Sequence, residues 1–295
     1  MITTIIADVR KHLKDLILDT IEAEGLKCNL NYIDVSQVTD MSFLFEYSLF
    51  NGSIDQWDTS SVTTMENMFA HSIFNKNISL WNTGNVTNMY GLFYNSLFKG
   101  NISAWNTSSV QDMCEMFANS KFNGNIAVWN VSQVSDMSNM FNESVFQGSL
   151  NAWDVSNVQN MENMFYRSKF NDIISAWNVL NVRNMDQMFY ASSFKKDISV
   201  WNISKDTIMS EMFDSSTLKK IKEPNMYHWL FLFERESPKN SVALPIYEHY
   251  MQYGPMLMAL GLNFGEAAVQ LQNLWLEKNH AHHASTLELK IPDFV

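Results

Sequence analysis

The sequence predicts an α/β repeat solenoid, and three observations predict it. Trp57, Trp81, Trp105, Trp129, Trp153, Trp177 and Trp201 fall at a constant spacing of 24 residues. Self-similarity at one fixed period marks a stacked-repeat architecture. Two residues after each Trp comes Thr, Val or Ile, an alternation rich in β-branched types that reads as a short strand. Further along each period come Met, Met and Phe, as in Met65, Met68 and Phe69, at the spacing of one face of a short helix.

The elements follow in order. Residues 1–33 carry apolar Ile2, Ile5, Ile6, Val9, Leu13, Leu16, Ile17 and Ile21 near helical spacing, with Gly25 as a stop, and predict an N-terminal capping helix. Residues 34–218 form eight repeats, the first of which has Ile33 in the place of the Trp. Three residues before each Trp stands Ile or Leu, from Ile54 to Ile198. The residue before the first Met is mostly a capping type (Asp40, Thr64, Asn88, Asp112, Asp136, Asn160, Asn184), suited to the free amides of a first helical turn. Each repeat therefore reads strand, turn, short helix, turn. Strand–helix coils of this length point to LRR-like, right-handed coils, because one unit cannot bury its apolar side without a neighbour. The pattern fails at Asp206, in the place of Val182, and again at Leu218. Residues 219–295, punctuated by Pro224, Pro238, Pro245 and Pro255, predict a non-repeat, α-rich C-terminal cap or subdomain, mainly helical, with a strand near 286–292.

Composition narrows the function. The net charge of -11 disfavours nucleic-acid binding through phosphate contacts, which needs clustered Lys and Arg. The two cysteines, Cys28 and Cys114, make neither a disulfide framework nor a zinc motif. No apolar run is long enough for a membrane span, and the N-terminus lacks the pattern of a signal peptide, so a cytoplasmic protein is expected. His280, His282 and His283 cluster without a neighbouring carboxylate or thiol, and His228, Glu234 and His249 have no spacing that supports acid–base work. No Gly-rich phosphate loop, G-x-S-x-G or H-E-x-x-H is present. Neither catalytic residues nor a cofactor or metal is expected.

The recurring string F-N-x-x-I-x-x-W-[DN]-[TV]-S-x-V-x-x-M-x-x-M-F-x-x-S resembles the BspA-like leucine-rich-repeat family, in particular its mycoplasma-lipoprotein-type 24-residue repeat. The resemblance covers about residues 34–218. It implies a solenoid used for binding, often at cell surfaces, and brings no catalytic residues with it.

If each Trp points inward, the residues on either side of it point outward. Just before the Trp stand Gln56, Leu80, Ala104, Val128, Ala152, Ala176 and Val200, an apolar stripe but for Gln56. Such a stripe marks a partner surface or lies under another part of the chain. Just after stand Asp58, Asn82, Asn106, Asn130, Asp154, Asn178 and Asn202, a column whose amides are placed to bond one another along the stack. Charge is uneven: residues 34–75 hold Asp34, Asp40, Glu46, Asp55, Asp58 and Glu66 and no Lys or Arg, whereas 163–205 are mildly basic. The function expected is a non-enzymatic protein–protein interaction scaffold that binds through these two columns or the C-terminal subdomain. The alternatives are an acidic phage- or mobile-element-encoded inhibitor of a host protein, and a bacterial surface adhesin.

Overall fold

The computed structural model describes residues 5–6 and 10–213, apart from 197, 199 and 205. The chain divides into two units, Met1–Ile221 and Lys222–Val295, and every described residue belongs to the first. The expectations for 219–295, including the helices, the strand and the histidines, lie outside the described residues.

Consecutive copies of the repeat lie side by side. Parallel bridges run from Asp40 to Thr64, Asn88, Asp112, Asp136, Asn160, Asn184 and Ile208, one step per copy. Aromatic rings follow the same order. Phe45, Phe69, Phe93, Phe117, Phe141, Phe165, Phe189 and Phe213 form a continuous stack with centroids 5.5–5.8 Å apart. A second Phe column, Phe50 to Phe194, runs beside it, and the Met pairs are fully buried between. The seven Trp side chains are at most 4% exposed. Each indole N–H donates to a carbonyl of the preceding copy, Trp57 to Leu30, Trp81 to Ile54, and so on to Trp201 on Ile174, at 2.9–3.1 Å. The indole thus brings apolar area to the core and leaves no buried donor unpaired.

Two local expectations are corrected. The Met-x-x-Met-Phe segment is not a helix. Its amides alternate between two kinds of partner. Those of Met65, Asn67, Phe69 and His71 donate to the next copy's Asn88, Tyr90, Leu92 and Tyr94 carbonyls at 2.8–3.0 Å. Those of Met68, Ala70 and Ser72 close turns onto Met65, Asn67 and Phe69 in their own copy. An amide committed to a neighbour has none left for the carbonyl four residues back, so no α-helix forms. The turn chain places its third residue in the left-handed region, at Asn67 (φ 50°) and His71 (φ 57°) and at the equivalent places of the other copies. Gly91 (φ 58°) fills that place where the second Met has become Leu92. The capping residues keep their chemistry without a helix: Asn88 Oδ1 accepts the Tyr90 amide at 2.8 Å and Asp112 Oδ1 the Cys114 amide at 2.8 Å, opening each turn as an Asx motif.

Nor does the Trp segment form a strand. Trp57 N–H turns back to Ile54 O and Val62 N–H to Thr59 O. Side chains make the links between copies here, the indole on one side and Thr59 Oγ1 donating to Asn82 O at 2.9 Å on the other. The β-branched alternation reported one-sided burial rather than extended pairing.

At the N-terminus, α1 (Arg10–Glu24) buries Leu13 and Ile17, one turn apart, which stabilises by about 2 kcal/mol each. It ends where Gly25, at φ 89°, turns the chain and its amide bonds Ile21 O at 2.8 Å. Lys14 Nζ donates to Phe43 O at 3.2 Å, and Thr20 Oγ1 lies 2.7 Å from the Tyr32 hydroxyl, so the helix is fixed to the first copy. The helix begins at Arg10 rather than at residue 2. Ile5–Ile6 are instead a short strand, β1, paired in parallel with β2 (Ile33–Asp34). Two adjacent β-branched residues are stiff in a helix and fit a ladder better.

Candidate binding surface

The stripe predicted before the Trp is exposed throughout: Gln56, Leu80, Ala104, Val128, Ala152, Ala176 and Val200. Leu80 is 83%, Val128 74% and Val200 69% exposed. The backbone beneath is held from the preceding copy, where Asn31 Oδ1 accepts the Gln56 amide at 3.0 Å and Asn151 Oδ1 the Ala176 amide at 3.2 Å. Buried Trp57, Trp81 and Trp105 stack below at 6.2–6.5 Å. The stripe is therefore an apolar line on a stacked base.

The neighbouring column is also exposed, at Asp58, Asn82, Asn106, Asn130, Asp154, Asn178 and Asn202. Its expected chemistry is corrected. The side chains do not bond one another along the stack. From Asp58 to Asn178 each Oδ1 accepts the amide two residues on in its own copy, as from Ser60 to Asp58 and from Ser156 to Asp154, both at 3.0 Å. A local Asx turn satisfies the group at a shorter reach than the next copy does. Those bonds, first from the Ser60 side chain and then its amide, hold the Asp58 carboxyl below the usual aspartate range; Ser156 does the same for Asp154.

Lateral bonding falls elsewhere. Asn75 N–H donates to Asn51 Oδ1 and Lys99 N–H to Asn75 Oδ1, at 3.0 and 2.8 Å. On the ladder face, amides of one copy face carboxylates of another: Asn160 to Asp136 at 3.2 Å and Asn184 to Glu162 at 3.0 Å. Asp112 breaks this alternation, because its ladder partner is Asp136. Burial, then the charges of Asp136 and Glu66, push the Asp112 carboxyl up, against a hydrogen bond from the Cys114 amide. The Cys114 thiol is pushed up to about 12, chiefly by burial, so at neutral pH it is not the thiolate that nucleophilic chemistry requires. Among the described residues no group of three or more His, Cys, Asp or Glu is placed to hold a metal ion.

A second exposed patch was not singled out from the sequence. Tyr47, Leu49, His71, Ile73 and Leu97 come from the first three copies, with Tyr47 69% and Leu49 58% exposed. The Tyr47 and His71 rings stack at 4.2 Å, and Tyr94 meets His71 edge-on at 4.9 Å. These residues occupy variable places of the repeat, Tyr47 and His71 just before the invariant Ser and Leu49, Ile73 and Leu97 between that Ser and the Phe. The available signal was that the place of Leu49, Ile73 and Leu97 varies in later copies, where it holds Lys121, Val145, Lys169 and Ser193. Further along, Gln147, Lys169, Asn171, Asp172 and Ser193 line an open, polar depression.

A stack of near-identical copies with its large side chains interior and its variation on the surface defines a repeat protein. This chain belongs to the family described as Mycoplasma protein of unknown function, DUF285, which matches over residues 19–123, 94–169 and 118–229. No curated protein and no solved structure matches the chain. Among the described residues no helix is long and apolar enough to cross a membrane.

Proposed function

We propose that this chain is a non-enzymatic scaffold, an LRR-like solenoid of the BspA type, that grips a protein partner through the apolar stripe. The single observation that carries this reading is the exposure of Leu80, Val128 and Val200 in one column over stacked, buried indoles. A stripe held by its neighbours loses little conformational freedom on docking, which favours affinity. The two columns flanking the Trp supply complementary parts: apolar contact before it, and at Asp58 and Asp154 carboxylates held ionised after it. The repeat positions serve packing and turn closure, which leaves surface rather than a pocket for recognition.

The test is retention of a stoichiometric protein from lysate of the source cell on immobilised full-length chain, compared with a Leu80→Asp/Val128→Asp double variant. The wild type retains the partner and the variant loses it with an unchanged melting temperature. A partner retained equally by both refutes the stripe, and retention of no partner refutes the scaffold. The likeness to BspA-type repeats favours a surface adhesin as the second reading. Protease shaving of intact source cells separates the two, because only a surface protein is cleaved.

A further inference from the structure

We infer that the apolar stripe docks on the same stripe of a second copy of this chain, with the two stacks antiparallel about a two-fold axis at Val128. The inference rests on the stripe reading above and names its occupant.

Charge selects the occupant. The chain carries a net charge of -11, so two copies repel over most of their surface. The stripe and the turns beside it are the exception. Segments 79–85, 103–109, 127–133, 151–157 and 175–181 hold one charged residue, Asp154, in a chain that is 17% charged. A basic partner finds little to hold it along this face, and a like-charged copy meets little repulsion there. Depletion of charge is also the mark of an interface core.

Sequence order selects the register. Two copies that meet through one surface do so about a two-fold axis. An axis across the stripe at Val128, the fourth of its seven residues, is the antiparallel register in which every stripe residue finds a partner. It sets Val128 on Val128, Ala104 on Ala152 and Leu80 on Ala176, so the bulkiest apolar side chain, Leu80, meets a small one. Gln56, the polar exception, falls at the end of the stripe, where a polar rim belongs.

The column after the Trp fits in the same register. An axis across the stripe keeps each column opposite its own kind in reversed order. Asp154 then faces Asn106 and Asp58 faces Asn202, and no carboxylate of this column faces another. The Asx turn takes up Asn106 Oδ1 with the Ser108 amide and leaves Nδ2 to donate across the interface. Asp154, whose Oδ1 accepts the Ser156 amide in the same way, offers the matching carboxylate. Sliding one copy by two repeats sets Asp58 on Asp154 instead.

The area suffices for a weak dimer. Seven copies about 4.8 Å apart give a face about 34 Å long. The exposed columns span about 15 Å across it. Pairing buries about 1,000 Å² over both copies, the lower bound of a specific interface, which sets the affinity in the micromolar range. The backbone is already held from the preceding copy at Gln56 and Ala176, so little freedom is lost on docking.

The test is sedimentation velocity of the full-length protein from about 1 to about 100 µM. At the upper end the chain sediments as a dimer of 34.1 kDa subunits. Leu80→Asp/Val128→Asp sediments as a monomer with an unchanged circular dichroism spectrum. Asn106→Asp sets a carboxylate on the partner's Asp154 at two places in the dimer and weakens it about tenfold, while Asn106→Asp/Asp154→Asn regains the wild-type affinity. A short bis-maleimide joins Val128→Cys to itself. It joins Leu80→Cys only to Ala176→Cys, because the two Leu80 positions stand about 19 Å apart. The wild type, whose cysteines lie outside the stripe, is not joined. A monomer at every concentration overturns the inference; if a different protein from the source cell is then lost from the Leu80→Asp/Val128→Asp variant, the stripe reading stands with another occupant. A monomer in which Leu80→Cys is shielded from maleimide assigns the stripe to residues 222–295 and overturns both. A dimer that survives the stripe variants, or one in which Leu80→Cys joins to itself, also overturns the inference.

Discussion

Replacing Trp105 separates its two contributions. The side chain is 4% exposed, lies between Trp81 and Trp129 at 6.5 Å from each, and donates Nε1–H to Ile78 O at 3.0 Å. In Trp105→Phe a ring remains in the stack, but the donor and part of the volume go. Ile78 O keeps the Trp81 amide at 3.3 Å. The lost hydrogen bond therefore costs about 1 kcal/mol, the low end for a carbonyl left partly paired. The residual cavity adds about 1 kcal/mol, for a sum of about 2. Trp105→Ala forfeits the whole ring, about 4 kcal/mol, and the hydrogen bond besides, for about 5. For a unit of this size each kcal/mol lowers the melting temperature by about 3 °C, so falls of about 6 °C and 15 °C are expected. Differential scanning calorimetry of the full-length variants measures both. If Trp105→Ala melts within about 2 °C of wild type, the indole is not an interior brick of the stack. If Trp105→Phe falls as far as Trp105→Ala, the hydrogen bond rather than the ring holds the copies together.

Four further outcomes are expected. Excision of one whole period, residues 101–124, joins Phe98–Gly100 to Asn125 in register and leaves a folded protein by circular dichroism, whereas excision of 101–120 misaligns every bridge beyond it and does not. At Asn163 (φ 54°), Asn163→Gly changes stability by no more than about 0.5 kcal/mol, while Asn163→Val costs about 2 in a urea titration, because a β-branched side chain opposes the left-handed conformation. Asp112→Asn raises stability at pH 7 by about 0.5 kcal/mol, because it removes a carboxylate opposite Asp136 and keeps the acceptor for the Cys114 amide. The Asp112 carboxyl sits above its ordinary value in the folded chain, so its penalty is complete above that raised value. The variant's advantage therefore fades as pH falls through the raised value towards the ordinary aspartate range, and an advantage that grows on acidification contradicts the assignment. Cys114, pushed up to about 12, and buried Cys28, also raised by burial, react slowly with a disulfide reagent at pH 8 and promptly in denaturant.

The sequence by itself determined the period, the eight copies and the identity of the buried columns, since Trp, Met, Phe and Val recur wherever a side chain faces the interior. It also determined which residues flank the Trp outward, because around each indole burial alternates from one residue to the next, with Trp57 and Thr59 buried and Gln56 and Asp58 exposed. Periodicity did not reveal where the backbone amides go. Met65, Met68 and Phe69 share a face in a helix and in a chain of turns alike, so their spacing could not distinguish the two. The tertiary structure decided it: the next copy offers carbonyls to every second amide of the Met segment, which displaces the helix, while at the Trp the amides close turns in their own copy and side chains make the lateral links. The one local clue was the Asn or Gly at Asn67, Gly91, Asn139 and Asn163, residues that tolerate the left-handed turn. The same reason hid the Asx turns of Asp58 and its equivalents and the exposed cluster around Tyr47. Whether a polar side chain reaches along the stack or back to its own turn depends on a distance set only when the copies meet.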